Sequence, residues 1–387
     1  MKGHIRRRGA HSFEIKFDAG RDEKTGKRLT QFHTFRGTKK EAEFKLAELV
    51  ASVGKGSYVE RSNLTVHAHL IARIDQWEAL AKITAKTAER YRELLANQIK
   101  PHLGDKLLQK LKPADIERWH GILKTSGRKD GRGGLNARTI GHAHRLLSKA
   151  LKEGMRHDLI VRNVASSEPP PRVSANEIVA LDAAQVKSVV EQLRGRAMFP
   201  RIITALFTGI RRGELLALRW RDVDLETRRL QVLGAIEQTK KHGIRFKVPK
   251  TKNGIRELSL PDIVVDALRD HRRGQLEFRI ALGLGKLPDD ALVFARPDGI
   301  PYSPRAFSKE WADEAAALGH PEVTLHALRH THASHLIDAG IDVVKISRRL
   351  GHASPTITLT VYAHLFHKRD DKSTDAINAA VAALFPG

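Results

Sequence analysis

Five short clusters in the C-terminal half of the sequence hold the side chains best suited to chemistry on an anion. They are Thr208-Gly209-Ile210-Arg211 with Glu214, Lys252 in Thr251-Lys252-Asn253-Gly254, His326-x-x-Arg329, Leu350-Gly351-His352, and Tyr362. In the first cluster one helix is predicted to end at Gly209 and another to begin at once. Free backbone N–H groups and Arg211 could therefore bind an anion together. Lys252 could add a point charge or donate a proton. Each cluster also has a plainer interpretation as a surface or helix-end feature.

The histidines around Arg329 raise the separate question of a metal site. His326 and Arg329 are three residues apart, so on a helix their side chains share a face. The same run contains His330, His332 and His335. Histidine is a common metal ligand, but the sequence has no cysteine and the run has no carboxylate. Four histidines on one helix also point in several directions. We therefore expect no metal centre and assign the extra histidines no role.

The net charge of the chain indicates a polyanionic partner. Its 387 residues include 68 Lys and Arg against 44 Asp and Glu, which gives +24 with His neutral. Such a charge destabilises a compact protein through self-repulsion, and the segments 1–60, 61–170 and 171–387 all have an excess of basic side chains.

The lack of cysteine excludes thiol nucleophiles, disulfides and iron–sulfur clusters. No apolar run is long enough for a membrane helix or a signal peptide, so we expect a cytoplasmic protein without a membrane partner.

Composition and periodicity divide the chain into three predicted domains. Residues 1–57 alternate like a small sheet followed by a helix, residues 64–165 have helical spacing throughout, and residues 176–387 mix helices with a few strands. The linker before the last domain contains Pro169-Pro170-Pro171, which cannot continue a helix. The predicted fold class is multidomain: a small α+β domain, an all-α domain, and a mainly helical domain with a small antiparallel sheet.

In the first domain, two alternating runs predict two strands. These are Ser12–Phe17 and Leu29–Phe35, and we expect Phe32 and Phe35 to lie in the core. Thr38 is an expected N-cap for the following helix, with Glu41 as its capping-box partner.

In the last domain, three strands and one ambiguous run matter for the site. The expected strands are Leu230–Glu237, Arg245–Val248 and Ile255–Leu260. Asn253-Gly254 predicts a hairpin between the second and the third, with Lys252 at its tip. The run Thr356–Val361 alternates like a strand, but the preceding Ser354-Pro355 supplies an N-cap and a first-turn proline, so we expect a helix.

The five clusters, taken in order, resemble the motifs of the tyrosine recombinases, the phage-integrase family. The matching residues are Arg211 with Glu214, Lys252, His326, Arg329, His352 and Tyr362. This match extends over residues 180–370. The preceding segments resemble the family's layout too, which implies an arm-type DNA-binding domain at 1–57, a helical core-binding domain at 64–165 and a catalytic domain at 176–387.

The resemblance implies that Tyr362 attacks a DNA phosphodiester and forms a 3′-phosphotyrosine. Arg211 and Arg329 would bind the non-bridging oxygens, where charge gathers in the transition state. Lys252 would protonate the leaving 5′-oxygen. The covalent bond stores the energy of the cut, so no nucleotide, metal or other cofactor is expected.

Three further residues have supporting roles by the same resemblance. His326 and His352 would hydrogen-bond the phosphate or help to move protons. Glu214 would hold Arg211 rather than react.

The resemblance also implies partners. Double-stranded DNA with core and arm sites, a homotetramer on paired sites, a host DNA-bending protein and an excisionase are all expected, in a bacterial cytoplasm. Two alternatives stay open: a topoisomerase of type IB, which would relax supercoils without exchanging partner duplexes, and a non-catalytic DNA-binding regulator. A metal-dependent transposase is disfavoured, since no trio of carboxylates stands out.

Overall fold

The computed structural model of the chain consists of two compact units, Met1–Ser174 and Ala175–Gly387. The structure describes residues 3–21, 25–55, 58–174, 179–249, 254–366, 378, 381 and 384. Within the first unit, a small sheet-and-helix core and a larger helical core form separate clusters of buried side chains. A division of this unit between residues 57 and 64 stays a prediction.

The sheet of the first unit is antiparallel and three-stranded, and one helix packs against it. Its elements are β1 (Gly3–Gly9), β2 (Ser12–Arg21), β3 (Arg28–Arg36) and α1 (Lys39–Gly54). Phe13, Ile15 and Phe17 alternate along β2 and are buried against Ala42 of α1, as the period of a strand requires. The capping box of α1 is confirmed: Thr38 accepts from the backbone N–H of Glu41, whose carboxylate accepts from that of Thr38.

Two predictions for this sheet are wrong. The strand β1 was not expected, because Ile5 is its only large apolar residue and the basic run around it has no alternation. Phe32 was expected in the core, yet it is 60% exposed. The register of β2 and β3 pairs Phe32 with Lys16 on the outer face of the sheet, whereas Phe35 packs on the helix side as expected.

Helices make up the rest of the first unit, in agreement with the sequence. They are α2 (Val66–Ala79), α3 (Ala85–Leu94) with a π-helical turn at Leu95–Ile99, α4 (Lys100–Leu103), α5 (Pro113–Ser126) and α6 (Ala137–Arg156). Trp77, Trp119 and Leu147 are fully buried at the centre of this bundle. Pro113 occupies the first turn of α5, where its missing N–H costs nothing.

The second unit is mainly helical, with short strands between its third and fourth helices. The helices are α7 (Ala183–Leu193), α8 (Phe199–Thr208), α9 (Arg212–Leu215), α10 (Asp262–Ala281), α11 (Pro304–Ala317), α12 (Leu325–Asp338), α13 (Val343–Leu350) and α14 (Pro355–Phe366). The strands are β4 (Val223–Asp224), β5 (Arg229–Val232), β6 (Ala235–Thr239), β7 (Gly243–Lys247) and β8 (Arg256–Ser259). In the described ranges, no helix is both long and apolar enough to cross a bilayer.

The strand pairing of the second unit differs from the expected hairpin. The strands form two antiparallel sheets, β4-β5-β8 and β6-β7, so β7 and β8 do not pair with each other in the described part of the chain. The predicted strand Leu230–Glu237 is also two strands, because the chain leaves the first sheet at Leu233-Gly234 and enters the second. The local turn signal of Asn253-Gly254 could not reveal these long-range partners.

The ambiguous run before Tyr362 is helical, as expected. Pro355 begins α14, and the threonines at 356, 358 and 360 lie within the helix. Here the helix-start signal, rather than β-branched propensity, decides the structure.

Candidate active site

The ends of two helices form the floor of the site. Both α8 and α13 end at a glycine in the left-handed conformation, Gly209 with φ 65° and Gly351 with φ 64°. This conformation ends the helices and leaves their last carbonyl groups without helical partners. Three of these carbonyls, those of Gly209, Leu350 and Gly351, accept hydrogen bonds from arginines.

Arg329 of α12 ties the two helix ends together. Its Nη1 donates to Gly209 O and its Nη2 to Leu350 O, both at 2.6 Å. The residue is only 3% exposed, and no described carboxylate forms an ion pair with it. Burial, together with the nearby Arg211, lowers the pKa of Arg329 to about 9. The side chain therefore keeps its charge at neutral pH, and the nearby carboxylate of Glu214 acts on it without a direct ion pair.

Arg211 is held by the first turn of α9 and by the end of α13. Its Nη1 donates to Glu214 Oε1 at 2.8 Å, and its Nη2 donates to Gly351 O at 2.7 Å. Glu214 also accepts from the backbone N–H of Arg211. Glu214 thus contacts Arg211, as its predicted supporting role requires. The side chain of Arg211 stays 41% exposed, so a ligand can reach it.

Glu214 has a second partner that was not predicted, Arg256 of β8. Arg256 Nη2 donates to Glu214 Oε2 at 2.8 Å, and both side chains are buried. Arg256 Nε also donates to Arg349 O in the last turn of α13. Although burial opposes its ionisation, the hydrogen bond and charge of Arg256 and the charge of Arg211 lower the pKa of Glu214. Arg256 follows Lys252 by four residues, but only the pairing of β8 with β5 reveals where it points.

Tyr362 of α14 is buried beside α12. Its side chain is 2% exposed, and its hydroxyl lies 2.7 Å from Nδ1 of His330. Burial raises the pKa of Tyr362 to about 12, against the opposing charge of Arg329. The phenol is therefore neutral at physiological pH.

His326 and His352 flank the same arginines. Burial and the charges of Arg329 and Arg211 lower the pKa of His326, and burial with the same two charges lowers that of His352 to about 4. His352 Nδ1 lies 2.8 Å from Thr358 Oγ1 in α14. Both imidazoles are therefore mainly neutral at pH 7 and suited to hydrogen bonding.

The remaining histidines of α12 contact different partners. His332 Nε2 accepts from Arg349 Nε at 3.0 Å, and His335 Nε2 lies 3.0 Å from Leu181 O. Among the described residues, no three His, Asp or Glu side chains are grouped as metal ligands. His332 and His335 thus make contacts apart from the contact between His326 and His330.

The structure brings five of the six predicted catalytic residues into one neighbourhood. These are Arg211, His326, Arg329, His352 and Tyr362. Lys252 lies outside the described residues, in the segment that joins β7 to β8. Together these residues place positively charged arginines, which can bind an anion, beside a tyrosine hydroxyl.

Comparison with known proteins identifies the class to which this fold and site belong. The sequence matches the Phage integrase family over residues 172–369 and the Phage integrase, N-terminal SAM-like domain, over residues 74–123. The first match covers half of the chain and contains every predicted catalytic residue. The chain therefore belongs to the phage integrase family of tyrosine recombinases.

Relatives of similar length support this assignment. A tyrosine recombinase XerC-like protein of Caldanaerobacter subterraneus subsp. tengcongensis is 26% identical over 390 residues, which cover 96% of each chain. An integrase of Streptomyces ambofaciens is 29% identical over 351 residues, covering 87% of this chain and 86% of the relative.

Solved structures share the fold. The Tn1549 transposon integrase in complex with transposon right end DNA has a TM-score of 0.68 at 22% identity, covering 81% of this chain and 100% of that one. A lambda integrase tetramer bound to a Holliday junction has a TM-score of 0.51 at 18% identity, covering 91% of this chain and 96% of that one. The predicted fold class is thereby confirmed.

Proposed function

We propose that the protein is an integrase that cleaves and rejoins duplex DNA through a 3′-phosphotyrosine at Tyr362, and so inserts and excises a phage or another mobile element. The observation that carries this proposal is the charge of the candidate active site. Three arginines, at positions 211, 256 and 329, surround one carboxylate, Glu214. Buried charges are costly unless they are paired, so the site is built for an added anion. A phosphodiester supplies that anion.

Of these three arginines, Arg211 and Arg329 would bind the non-bridging oxygens of the scissile phosphate. Arg329 is fixed by two carbonyls, and Arg211 is fixed by Glu214 and Gly351. Preorganised donors of this kind stabilise a transition state because they do not reorient as charge develops.

The tyrosine hydroxyl would attack the phosphorus, and the 5′-oxygen would leave. One proton must leave Tyr362 and one must reach the 5′-oxygen. Lys252 is the proposed donor to the leaving oxygen, on the resemblance of its motif. His326 and His352, which are neutral near pH 7, would hydrogen-bond the phosphate.

The outer face of the N-terminal sheet is the proposed arm-binding surface. Strand pairing and alternation place Arg6, Lys16, Arg28 and Arg36 on the face opposite α1, where Phe32 is exposed among them. Arg8 joins them through an ion pair with Glu14, which lies on the same face. Guanidinium and ammonium groups on one open face suit contacts with DNA phosphates, and residues 64–165 would contact the core site.

A homotetramer on two paired sites is the proposed working assembly in the bacterial cytoplasm. Support comes from the solved lambda integrase tetramer on a Holliday junction. A host DNA-bending protein would help one tetramer to reach distant arm and core sites, and an excisionase would set the direction of the reaction.

One experiment tests the proposed reaction as a whole. The protein is incubated with two DNA circles that each carry a candidate attachment site, and the products are separated on denaturing and native gels. We expect a protein–DNA adduct and joined circles from the wild type, and neither from Tyr362→Phe, which should still bind DNA. An adduct with relaxed but unjoined circles would indicate a topoisomerase. Sequence-specific binding by wild type without any adduct would indicate a regulator.

A further inference from the structure

The histidine next to the buried arginine is left unused by the proposed mechanism. His330 Nδ1 lies 2.7 Å from the Tyr362 hydroxyl, and the two rings are 5.6 Å apart and near perpendicular. Among the described residues, no other group lies within hydrogen-bonding distance of that hydroxyl. We assign the ring hydrogen of His330 to Nε2, because this tautomer leaves Nδ1 free to accept the phenolic proton.

We propose that His330 is a catalytic residue, the general base that takes the proton of Tyr362 as its oxygen attacks the scissile phosphate. This inference rests on the proposed function, since it needs Tyr362 to be the nucleophile. It assigns to His330, rather than to His326 or His352, the proton transfer at the tyrosine.

In the cleavage step one bond to phosphorus forms, another breaks, and two protons move. The Tyr362 O–H bond breaks and its proton moves to His330 Nδ1, while the phenolic oxygen forms a bond to phosphorus. The bond from phosphorus to the 5′-oxygen breaks, and that oxygen takes its proton from the general acid. On rejoining, the 5′-hydroxyl attacks and returns its proton to the conjugate base of that general acid, while the imidazolium of His330 returns its proton to the departing tyrosine oxygen.

The surroundings keep His330 ready to accept a proton. His330 faces His326 and Arg329 from its own helix and Tyr362 from α14; the rings of His326 and His330 are 4.5 Å apart. Burial and these two neighbours on α12 lower the pKa of His330 to about 4, so it is neutral at pH 7.

Full proton transfer before attack would be unfavourable, because the pKa of Tyr362 is about 12 and that of His330 about 4. Proton transfer coupled to attack avoids this cost. The proton leaves as the oxygen–phosphorus bond forms, so a free phenolate never accumulates.

The test uses His330→Asn, because the Asn side-chain oxygen can lie where Nδ1 lies and accept the same hydrogen bond without taking the proton. Single-turnover cleavage is measured on a nicked site that traps the adduct, with the full-length protein and saturating DNA. We expect His330→Asn to bind normally and to cleave about 100-fold more slowly or worse, the usual scale of general-base catalysis. His335→Gln, on the same helix but in contact with Leu181, should cleave like the wild type.

A pH profile separates proton transfer from positioning. Cleavage by the wild type should level off above the pKa of His330 in the complex. Cleavage by His330→Asn should instead rise about tenfold per pH unit, because hydroxide must then remove the proton. Added imidazole should accelerate His330→Ala and leave His330→Asn unchanged, since only Ala opens space for it.

Two results would overturn the assignment. The first is cleavage by His330→Asn at a rate within about twofold of the wild type. The second is a reduced cleavage rate of His330→Asn that keeps the wild-type pH profile, with no rescue of His330→Ala by imidazole. In either case wild-type adducts at Tyr362 would leave the proposed function intact. Absence of adducts from the wild type would instead refute the proposed function itself.

Discussion

Arg211 and Arg329 perform the same proposed task but are held differently. Arg329 is buried between two helix ends, so replacing it would disturb the fold as well as the chemistry. Arg211 is 41% exposed on its side chain and rests on Glu214. A substitution at Arg211 is therefore the cleaner probe of transition-state stabilisation.

We predict that Arg211→Lys slows cleavage of bound DNA while DNA binding changes little. Lysine keeps the charge but loses the fork that can hold both Glu214 and a phosphate oxygen. Loss of one preorganised donor costs about 3 kcal/mol in the transition state, or on the order of 100-fold in rate. Single-turnover cleavage and a binding titration measure the two effects. Arg212→Lys is the control, since Arg212 donates to Ser308 instead; equal rates for both variants would contradict the role.

Glu214 should also be a stability determinant. In Glu214→Gln the buried Arg256 loses its counter-charge while the shape of the side chain is kept. Removing one partner of a buried pair costs about 3–5 kcal/mol, so the melting temperature should fall clearly. Glu257→Gln is the matched control, because Glu257 pairs with Arg229 on the exposed side of the sheet, where such pairs contribute little. Similar melting temperatures for the two variants would show that the Glu214–Arg256 pair is not stabilising.

Among single residues, the sequence predicted the motif positions but not all of the side chains that contact them. The contact of Glu214 with Arg211 was expected from the family resemblance. His330 lies four residues from His326 and shares its face by helical spacing, but nothing local connects it to Tyr362 on another helix. Arg256 reaches Glu214 only through sheet pairing.

In the second unit, the ends of α8 and α13 position the arginines of the candidate site. The sequence predicted the end of α8 at Gly209 and the helical state of α14, because glycine and proline signals are local. It did not predict that β7 pairs with β6 and β8 with β5, because strand partners are chosen by packing over long separations.

The end of α8 supplies a test of how the elements hold Arg329. A Cβ on Gly209 would lie 2.6 Å from His332 Cδ2 and 2.9 Å from Leu350 Cδ2. We predict that Gly209→Ala destabilises the protein by roughly 2–4 kcal/mol, from left-handed strain and overpacking together. It should also slow cleavage, since the carbonyl that accepts from Arg329 must move.

Gly195→Ala is the control for this prediction. Gly195 has φ 76° but an added Cβ would meet nothing within 4 Å, so only the strain of about 1 kcal/mol remains. Thermal melting and single-turnover cleavage should separate the two variants. Equal melting temperatures of Gly209→Ala and Gly195→Ala would mean that the side chains of His332 and Leu350 move aside without a loss of stability.

At the scale of the whole molecule, the three-domain layout was predicted from composition, and the charge pointed to DNA. The outer face of the N-terminal sheet was not predicted, because β1 has no alternation and Phe32 was assigned to the core. The register of three strands was needed to show that the basic residues share one face.

We predict that reversing this face disables arm binding and spares the core site. Arg6→Glu combined with Arg36→Glu should lower affinity for an arm-site duplex and reduce the dependence of binding on salt. Cleavage of an isolated core site should be unchanged, whereas integration should be lost. Lys40→Glu, an exposed cation on α1, is the control. Normal integration by the double variant would rule out this surface as the arm-binding face.

Direct mapping of the covalent adduct tests whether Tyr362 becomes joined to a 3′ end of DNA. Wild-type protein is trapped on a nicked core site, the complex is digested with nuclease and protease, and the modified peptide is sequenced by mass spectrometry. We expect a nucleotide linked through its 3′ phosphate to the peptide that contains Tyr362, formed also in the presence of a metal chelator. A nucleotide on Tyr302 or any other residue, or one linked through its 5′ end, would show that Tyr362 is not the nucleophile of the proposed reaction.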